Sequence, residues 1–210
     1  AGVLTNPQGE KPAKPRDLLA FGNPALGDPK LDHAFAHNEA VAVSRTRPNS
    51  RVLLRREATE TALNRYGGGF RYIHFATHGE FDAVRPLNSA LLLAGDAESD
   101  GRLTVDKLYS MKLHADLVTL SACETGLGKV VNGDDVVGLT RGFLYAGSRS
   151  IVTSLWKVDD LATSHLMTGF YSRLKDADKR DALRSAMLET RSRYPHPFYW
   201  AAFQLTGNAD

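Results

Sequence analysis

Residues 115–126 read A-D-L-V-T-L-S-A-C-E-T-G and include the single cysteine of the 210-residue sequence. Leu117–Leu120 is a short apolar run with β-branched side chains, which is typical of a strand buried on both faces of a sheet. Small residues at 121–123 end the run, so Cys123 is expected at the tip of a central strand. In α/β sheets, ligands bind at the edge formed by the carboxyl ends of the strands, and catalytic residues lie there too. A single thiol cannot form a disulfide within the chain, so its position requires another explanation.

A second apolar stretch, F-R-Y-I-H-F-A-T-H-G at residues 70–79, ends in His78 and Gly79. If its strand lies parallel and adjacent to the cysteine strand, the imidazole of His78 and the thiol of Cys123 reach the same edge of the sheet. A thiol nucleophile and an imidazole base are the two groups that a cysteine peptidase needs. The pair therefore predicts nucleophilic catalysis. The alternative interpretation of a lone cysteine is a small, buried, inert side chain.

Four segments occur in order along the chain: H-F-A-T-H-G-E-F-D at 74–82, L-S-A-C-E-T-G at 120–126, S-L-W-K-V-D-D at 154–160 and Y-W-A-A-F-Q-L-T-G at 199–207. Together they closely resemble the CHAT family of caspase-like peptidase domains, which are often joined to tetratricopeptide repeats. The resemblance runs in register from about residue 18 to residue 207. It implies a caspase-like three-layer α/β/α sandwich with a mostly parallel central sheet, which the alternation of predicted strands and helices also indicates.

The resemblance also implies an activity and a division of roles. The expected protein is a cysteine endopeptidase that cleaves a protein substrate through an acyl-enzyme, with Cys123 as nucleophile and His78 as general acid and base. The backbone N–H groups of Gly79 and Cys123 would form the oxyanion hole. His78 precedes Cys123 by 45 residues, close to the roughly 50 residues of caspases. Cleavage after aspartate is not implied, because S-A-C-E-T-G differs from the caspase signature around the cysteine.

Substrate-binding residues are expected in loops at the same edge of the sheet. By resemblance, Ser154 and Trp156 lie where caspase-like enzymes pair with the substrate backbone as an added strand, and Trp156 would form the wall of a pocket. The acidic candidates for binding a basic P1 side chain are Asp134, Asp135, Asp159 and Asp160. The alternative for each of them is a helix cap or a solvated loop residue, since acidic side chains are favoured at a helix N-terminus.

Two rival hypotheses remain beside the peptidase. One is a catalytically latent caspase-like module for binding or scaffolding. The other is a zinc hydrolase with His74, His78 and Cys123 as ligands, since three protein ligands and a water suit catalytic zinc. His74, however, lies about 13 Å behind His78 if the strand rises about 3.3 Å per residue. His74 is therefore expected in the core, and no metal or other cofactor is predicted. Glu80 and Asp82 are candidates to orient His78, and the equal alternative is that both are turn residues.

Charge and composition narrow the possible partners and locations. The 26 basic and 24 acidic side chains leave a net charge of +2, which gives no electrostatic reason to expect nucleic acid or an anionic membrane as a partner. No apolar run approaches the ~18–20 residues of a membrane-spanning helix. One cysteine suits a reducing compartment and predicts a cytoplasmic protein. The predicted partners are a protein or peptide substrate and a tetratricopeptide-repeat region, in cis or in trans.

The first residues differ in composition from the rest. Residues 1–16 contain three prolines and two glycines and predict a flexible leader or linker, followed by the peptidase domain at 17–210. CHAT domains usually carry further strand-forming sequence before this point, so two expectations stay open: residues 17–210 are the whole domain, or an N-terminal edge strand of the full domain comes from another segment. Within 17–210, helices are predicted at 33–43, with Asp32 as N-cap, and at 103–113, and a last strand or extended segment is predicted at 199–206.

Overall fold

The computed structural model describes residues 15–82, 84–121, 123–124, 134–156 and 158–210, without the side chains of residues 123, 124 and 134–137. Residues 1–14 of the predicted leader lie outside this description, and the first strand already begins at Arg16. None of the helices in the described part of the chain is long and apolar enough to cross a membrane.

The secondary structure alternates between strands and helices, as the sequence pattern predicts. The described strands are β1 (Arg16–Pro24), β2 (Arg51–Arg55), β3 (Phe70–Ala76), β4 (His78–Glu80), β5 (Ala90–Leu92), β6 (Arg102–Thr104), β7 (Leu117–Leu120), β8 (Cys123–Glu124), β9 (Ser150–Ser154) and β10 (Phe203–Gly207). The described helices are α1 (Ala34–Arg45), α2 (Glu60–Tyr66), α3 (Val105–Leu108), α4 (Asp134–Tyr145), α5 (Asp160–Arg173) and α6 (Lys179–Arg193). Single 3₁₀ turns occur at Pro29–Leu31, Gly67–Gly69, Pro86–Asn88 and Pro197–Tyr199.

Six strands form the central sheet in the order β10-β9-β7-β3-β1-β2. All neighbours are parallel except β10, which runs antiparallel to β9. Side chains of β1 alternate between two cores: Leu19 and Phe21 pack on the side of α2, α3 and α4, and Leu18 and Ala20 pack on the side of α1, α5 and α6. The chain therefore folds as the predicted three-layer α/β/α sandwich with a mostly parallel central sheet.

A smaller sheet, in the order β6-β5-β4-β8, continues from the carboxyl edge of the large one. Thr77 separates β3 from β4, and its hydroxyl donates to the carbonyl oxygen of Leu92 in β5. The strand β8 follows β7 after two residues. Both strands therefore project beyond the central sheet and carry His78 and Cys123 with them.

The structure corrects three details of the sequence prediction. His33, not Asp32, is the N-cap of α1, because its ring nitrogen Nδ1 accepts a hydrogen bond from the N–H of Ala36. The helix predicted at 103–113 is wrong in its first part: Arg102–Thr104 is a strand paired with β5, and Thr104 then caps the short helix α3. The predicted last strand at 199–206 is delayed to Phe203, since Pro197 begins a 3₁₀ turn instead.

Candidate active site

His78 and Cys123 lie opposite each other at the carboxyl edge of the sheet. β3 and β7 are parallel neighbours, and their continuations β4 and β8 pair in parallel with His78 opposite Cys123 and Gly79 opposite Glu124. The expected adjacency of the two strands is confirmed. The backbone thus brings the two residue types of a cysteine peptidase to one point of the fold.

The ring of His78 is oriented by a backbone carbonyl group. Its Nε2 atom lies 2.9 Å from the carbonyl oxygen of Leu31. A carbonyl oxygen only accepts hydrogen bonds, so Nε2 carries the proton and, in the neutral ring, the lone pair is on Nδ1. The two carboxylates expected to orient His78 have other partners: Glu80 pairs with Arg102, and Asp82 accepts from the N–H groups of Val84 and Arg85.

The segment that supplies Leu31 follows β1 and is held by a buried asparagine. Asn23 has a φ of 44°, in the left-handed region that asparagine tolerates better than most residues. Its side chain donates to Asp32 Oδ1 at 2.6 Å and accepts from the N–H of His33 at 2.9 Å. The hydrogen bond from Asn23, with the nearby guanidinium of Arg55, holds the pKa of Asp32 below its usual value. This network fixes the turn that presents the Leu31 carbonyl.

A second histidine packs against His78. The rings of His33 and His78 are 5.5 Å apart between centroids and nearly perpendicular, at 82°. His33 Nε2 lies 3.4 Å from Asp160 Oδ1 at the start of α5. His33 is not among the site residues that the sequence predicts. The signal that could have found it is its position: it follows β1 and begins a helix, so it lies at the same edge as the ends of β3 and β7.

A small cavity, lined mainly by residues with polar side chains, lies beside His78. It is lined by His33, Glu39, Thr77, Ser121, Asp160 and Thr163 together with His78 and Ala36. About 10 Å³ is open to the centre of a water molecule, close to what one ordered water requires. The cavity is too small for a substrate side chain in this conformation.

Beneath the cavity, His74 is fully buried and belongs to the core, as expected. Its Nε2 atom lies 3.0 Å from Oε1 of the buried Glu39 on α1. Tyr171 packs against the His74 ring and donates to the hydroxyl of Thr119 at 2.9 Å, and burial raises the pKa of the Tyr171 hydroxyl. Because the Nε2 atom of His74 faces the Glu39 carboxylate, the arrangement does not favour His74 as a zinc ligand. The described side chains include no group of three or more that could hold a metal ion.

The predicted substrate-binding residues on β9 differ in their surroundings. Ser154 is the last residue of β9 and lies opposite Phe203 of β10. Since β9 is paired on both sides, with β7 and with β10, a substrate strand cannot be added along it and could only follow beyond Ser154. Trp156 is 38% exposed, and its indole N–H donates to the carbonyl oxygen of Phe198 at 3.1 Å.

The four acidic candidates are not equivalent. The Asp159 carboxylate caps α5 by accepting from the N–H of Ala162 at 3.0 Å, which is the alternative that the sequence left open. Asp160 lines the cavity beside His78. Asp134 and Asp135 begin α4, and their side chains lie outside the described residues.

Comparison with known proteins identifies the family. The CHAT domain family model matches residues 2–208. The chain belongs to the CHAT domain family. Over 109 residues, half of this chain, the CHAT domain is 36% identical to Tetratricopeptide repeat protein 28 of Mus musculus and 35% identical to the Homo sapiens protein. The match spans only 4% of each relative, so it concerns a small part of those proteins.

Solved structures show the same fold at low identity. The CHAT domain resembles the Arg-specific cysteine proteinase gingipain R, RgpB of Porphyromonas gingivalis, with a TM-score of 0.63 and 10% identity over 95% of this chain and 48% of that one. It also resembles Saccharomyces cerevisiae separase in its complex with securin, with a TM-score of 0.56 and 13% identity over 93% of this chain and 12% of that one. The CHAT domain therefore has a caspase-like fold.

Proposed function

We propose that this CHAT domain is a cysteine endopeptidase that hydrolyses a peptide bond of a protein substrate. The observation that carries the proposal is the parallel register that sets His78 opposite Cys123. The carbonyl group of Leu31 supports it, because it orients the imidazole without taking the lone pair that a base needs. The family and the caspase-like fold favour a peptidase-type module over a binding module.

In the proposed mechanism, the Cys123 sulfur attacks the scissile carbonyl carbon and its proton passes to His78. With Nε2–H donating to Leu31, the nitrogen that accepts this proton is Nδ1. The N–H groups of Gly79 and Cys123 stabilise the oxyanion, and one such donor contributes about 2.7–4 kcal/mol. His78 then protonates the leaving amine and later activates the water that hydrolyses the acyl-enzyme. The proposed mechanism requires no cofactor.

For specificity, we favour a basic P1 side chain bound by Asp160. This carboxylate lines the cavity beside His78, whereas Asp159 caps a helix. The name of gingipain R describes an Arg-specific proteinase, which agrees with an acidic P1 pocket in a protein of this fold. The pocket itself must be larger than the cavity seen here, so loops at the carboxyl edge would have to move on binding.

Control by a tetratricopeptide-repeat region remains part of the proposal. The two relatives are named for these repeats, and a repeat region in cis or a separate repeat protein could align the dyad or deliver the substrate. A cytoplasmic location likewise remains a prediction.

The experiment that tests the function is cleavage of a peptide library prepared from a proteome, with new N-termini identified by mass spectrometry. We expect cleavage by the wild type and none by Cys123→Ala or His78→Asn. His37→Asn is the matched control, because it makes the same change on α1, outside the proposed dyad. Equal cleavage by Cys123→Ala would contradict the mechanism, and no cleavage by the wild type would favour the binding module.

A further inference from the structure

We propose that His33 is a positioning residue that holds the imidazole of His78 in its reactive orientation, and that Asn23 and Asp160 hold His33 in turn. This inference rests on the proposed function, since it assigns a role in support of the same dyad. It concerns a residue that contacts the ring of His78 and not the substrate or the reacting atoms.

Three contacts fix His33. Its backbone N–H donates to Asn23 Oδ1 at 2.9 Å, its Nδ1 atom accepts from the N–H of Ala36 at 3.2 Å, and its Nε2 atom lies 3.4 Å from Asp160 Oδ1. These partners come from the end of β1, the first turn of α1 and the first turn of α5. His33 is therefore held between three elements of the fold.

The contacts also fix the protonation pattern of His33. A nitrogen that accepts a hydrogen bond cannot carry a proton, so the proton of His33 is on Nε2 and points toward Asp160. The ring is then presented to His78 at 5.5 Å and 82°, the edge-to-face arrangement that aromatic rings favour. An asparagine at this position could still cap α1, but it would leave the side of the His78 ring without this packing.

Leu31 and His33 act on His78 from one short segment. Leu31 fixes one nitrogen of the ring through its carbonyl oxygen, and His33 limits rotation of the ring by packing against it. A hydrogen bond to one atom leaves the ring free to rock about that bond, whereas a second contact on another side removes this freedom. A misplacement of about 1 Å can slow a reaction roughly a hundredfold, so the second contact has a measurable consequence.

The test compares His33→Asn with the wild type and with the control His37→Asn on the same helix. Two quantities are measured on the intact chain: the ¹⁵N NMR shifts of the His78 ring, and the rate at which iodoacetamide alkylates Cys123 near neutral pH. For His33→Asn we expect shifted and broadened His78 ring signals, because the ring then rocks about its hydrogen bond to Leu31, and alkylation slower by roughly tenfold or more. For His37→Asn we expect no change in either.

Wild-type ring shifts together with a wild-type alkylation rate in His33→Asn would overturn the inference. If His33→Asn does not fold, Asp160→Asn replaces it: it removes the charged partner of His33 and is expected to shift the His78 signals in the same direction. A failure of the proposed function gives a different result. In that case His78→Asn would be alkylated at the wild-type rate. The His78 ring shifts of the wild type and of His33→Asn would still report whether His33 orients His78.

Discussion

The carbonyl oxygen of Leu31 accepts a hydrogen bond from Nε2 of His78 over 2.9 Å, although the two residues are 47 positions apart. The turn that carries Leu31 is therefore part of the proposed catalytic apparatus. Asn23 holds that turn through two side-chain hydrogen bonds. A substitution at Asn23 should therefore alter the reactivity of Cys123, because it changes the backbone segment that orients His78.

We expect Asn23→Gly and Asn23→Ala both to slow alkylation of Cys123, because each loses the hydrogen bonds to Asp32 and from the N–H of His33. The two variants should differ in stability. The φ of 44° suits glycine, whereas alanine in the left-handed region costs about 1–2 kcal/mol. Chemical denaturation should therefore give a lower free energy of unfolding for Asn23→Ala than for Asn23→Gly. Equal stability of the two would contradict the assigned backbone conformation.

Gly79 offers a test of the oxyanion hole. A Cβ added at Gly79 would lie 3.5 Å from the ring of Phe81 and 3.8 Å from the carbonyl oxygen of Ala90, which is ordinary contact, so Gly79→Ala should fold normally. The added methyl group would obstruct the approach of a substrate carbonyl to the Gly79 N–H. We expect the variant to react with iodoacetamide at the wild-type rate and with a peptide acylating agent roughly 10²–10³-fold more slowly. Equal loss of both reactions would assign Gly79 a structural role instead.

Asp159 and Asp160 are neighbours with different expected roles. Asp159→Ala removes the N-cap of α5 and should lower the free energy of unfolding by about 1 kcal/mol. It should leave the P1 preference unchanged, whereas Asp160→Asn should weaken the preference for a basic P1 residue. The measurements are denaturant titration and labelling with peptide electrophiles. A changed P1 preference in Asp159→Ala would show that its carboxylate also reaches the substrate.

The lowered pKa of Asp32 predicts a pH dependence of stability. Because the hydrogen bond from Asn23 and the charge of Arg55 favour the ionised carboxylate, the contribution of Asp32 is present above its unfolded pKa of about 3.9. It is lost as the pH falls through the lower folded value. The difference in free energy of unfolding between wild type and Asp32→Asn should therefore be constant at neutral pH and shrink in acid. If the difference grew in acid, the pKa of Asp32 would be higher in the folded state than in the unfolded state, which would contradict the prediction.

The sequence predicts the fold and the central pair for one physical reason. Each buried strand of a parallel sheet is an apolar run, and the residues that follow each run meet at one edge, so His78 and Cys123 could be paired from their positions alone. Strand β6 was missed because three residues, Arg102–Thr104, are too short to show a periodicity of two.

The parts of the site that the sequence did not reveal depend on contacts that no local sequence pattern shows. The group of Leu31 that contacts His78 is a backbone carbonyl, which every residue possesses. Asp32 and His33 both precede an apolar helix; in the structure Asn23 donates to the Asp32 carboxylate and His33 caps the helix. The buried partner of His74, Glu39, lies on α1 and is 35 residues away in sequence, so periodicity could not connect them.

The proposed function depends on a working dyad of His78 and Cys123. The most direct measurement is the rate at which Cys123 is labelled by peptide electrophiles that differ at P1, read by mass spectrometry, for the wild type and His78→Ala. A working dyad predicts fast labelling that requires His78 and is fastest with a basic P1 residue. Slow labelling that depends on neither His78 nor P1 would contradict it.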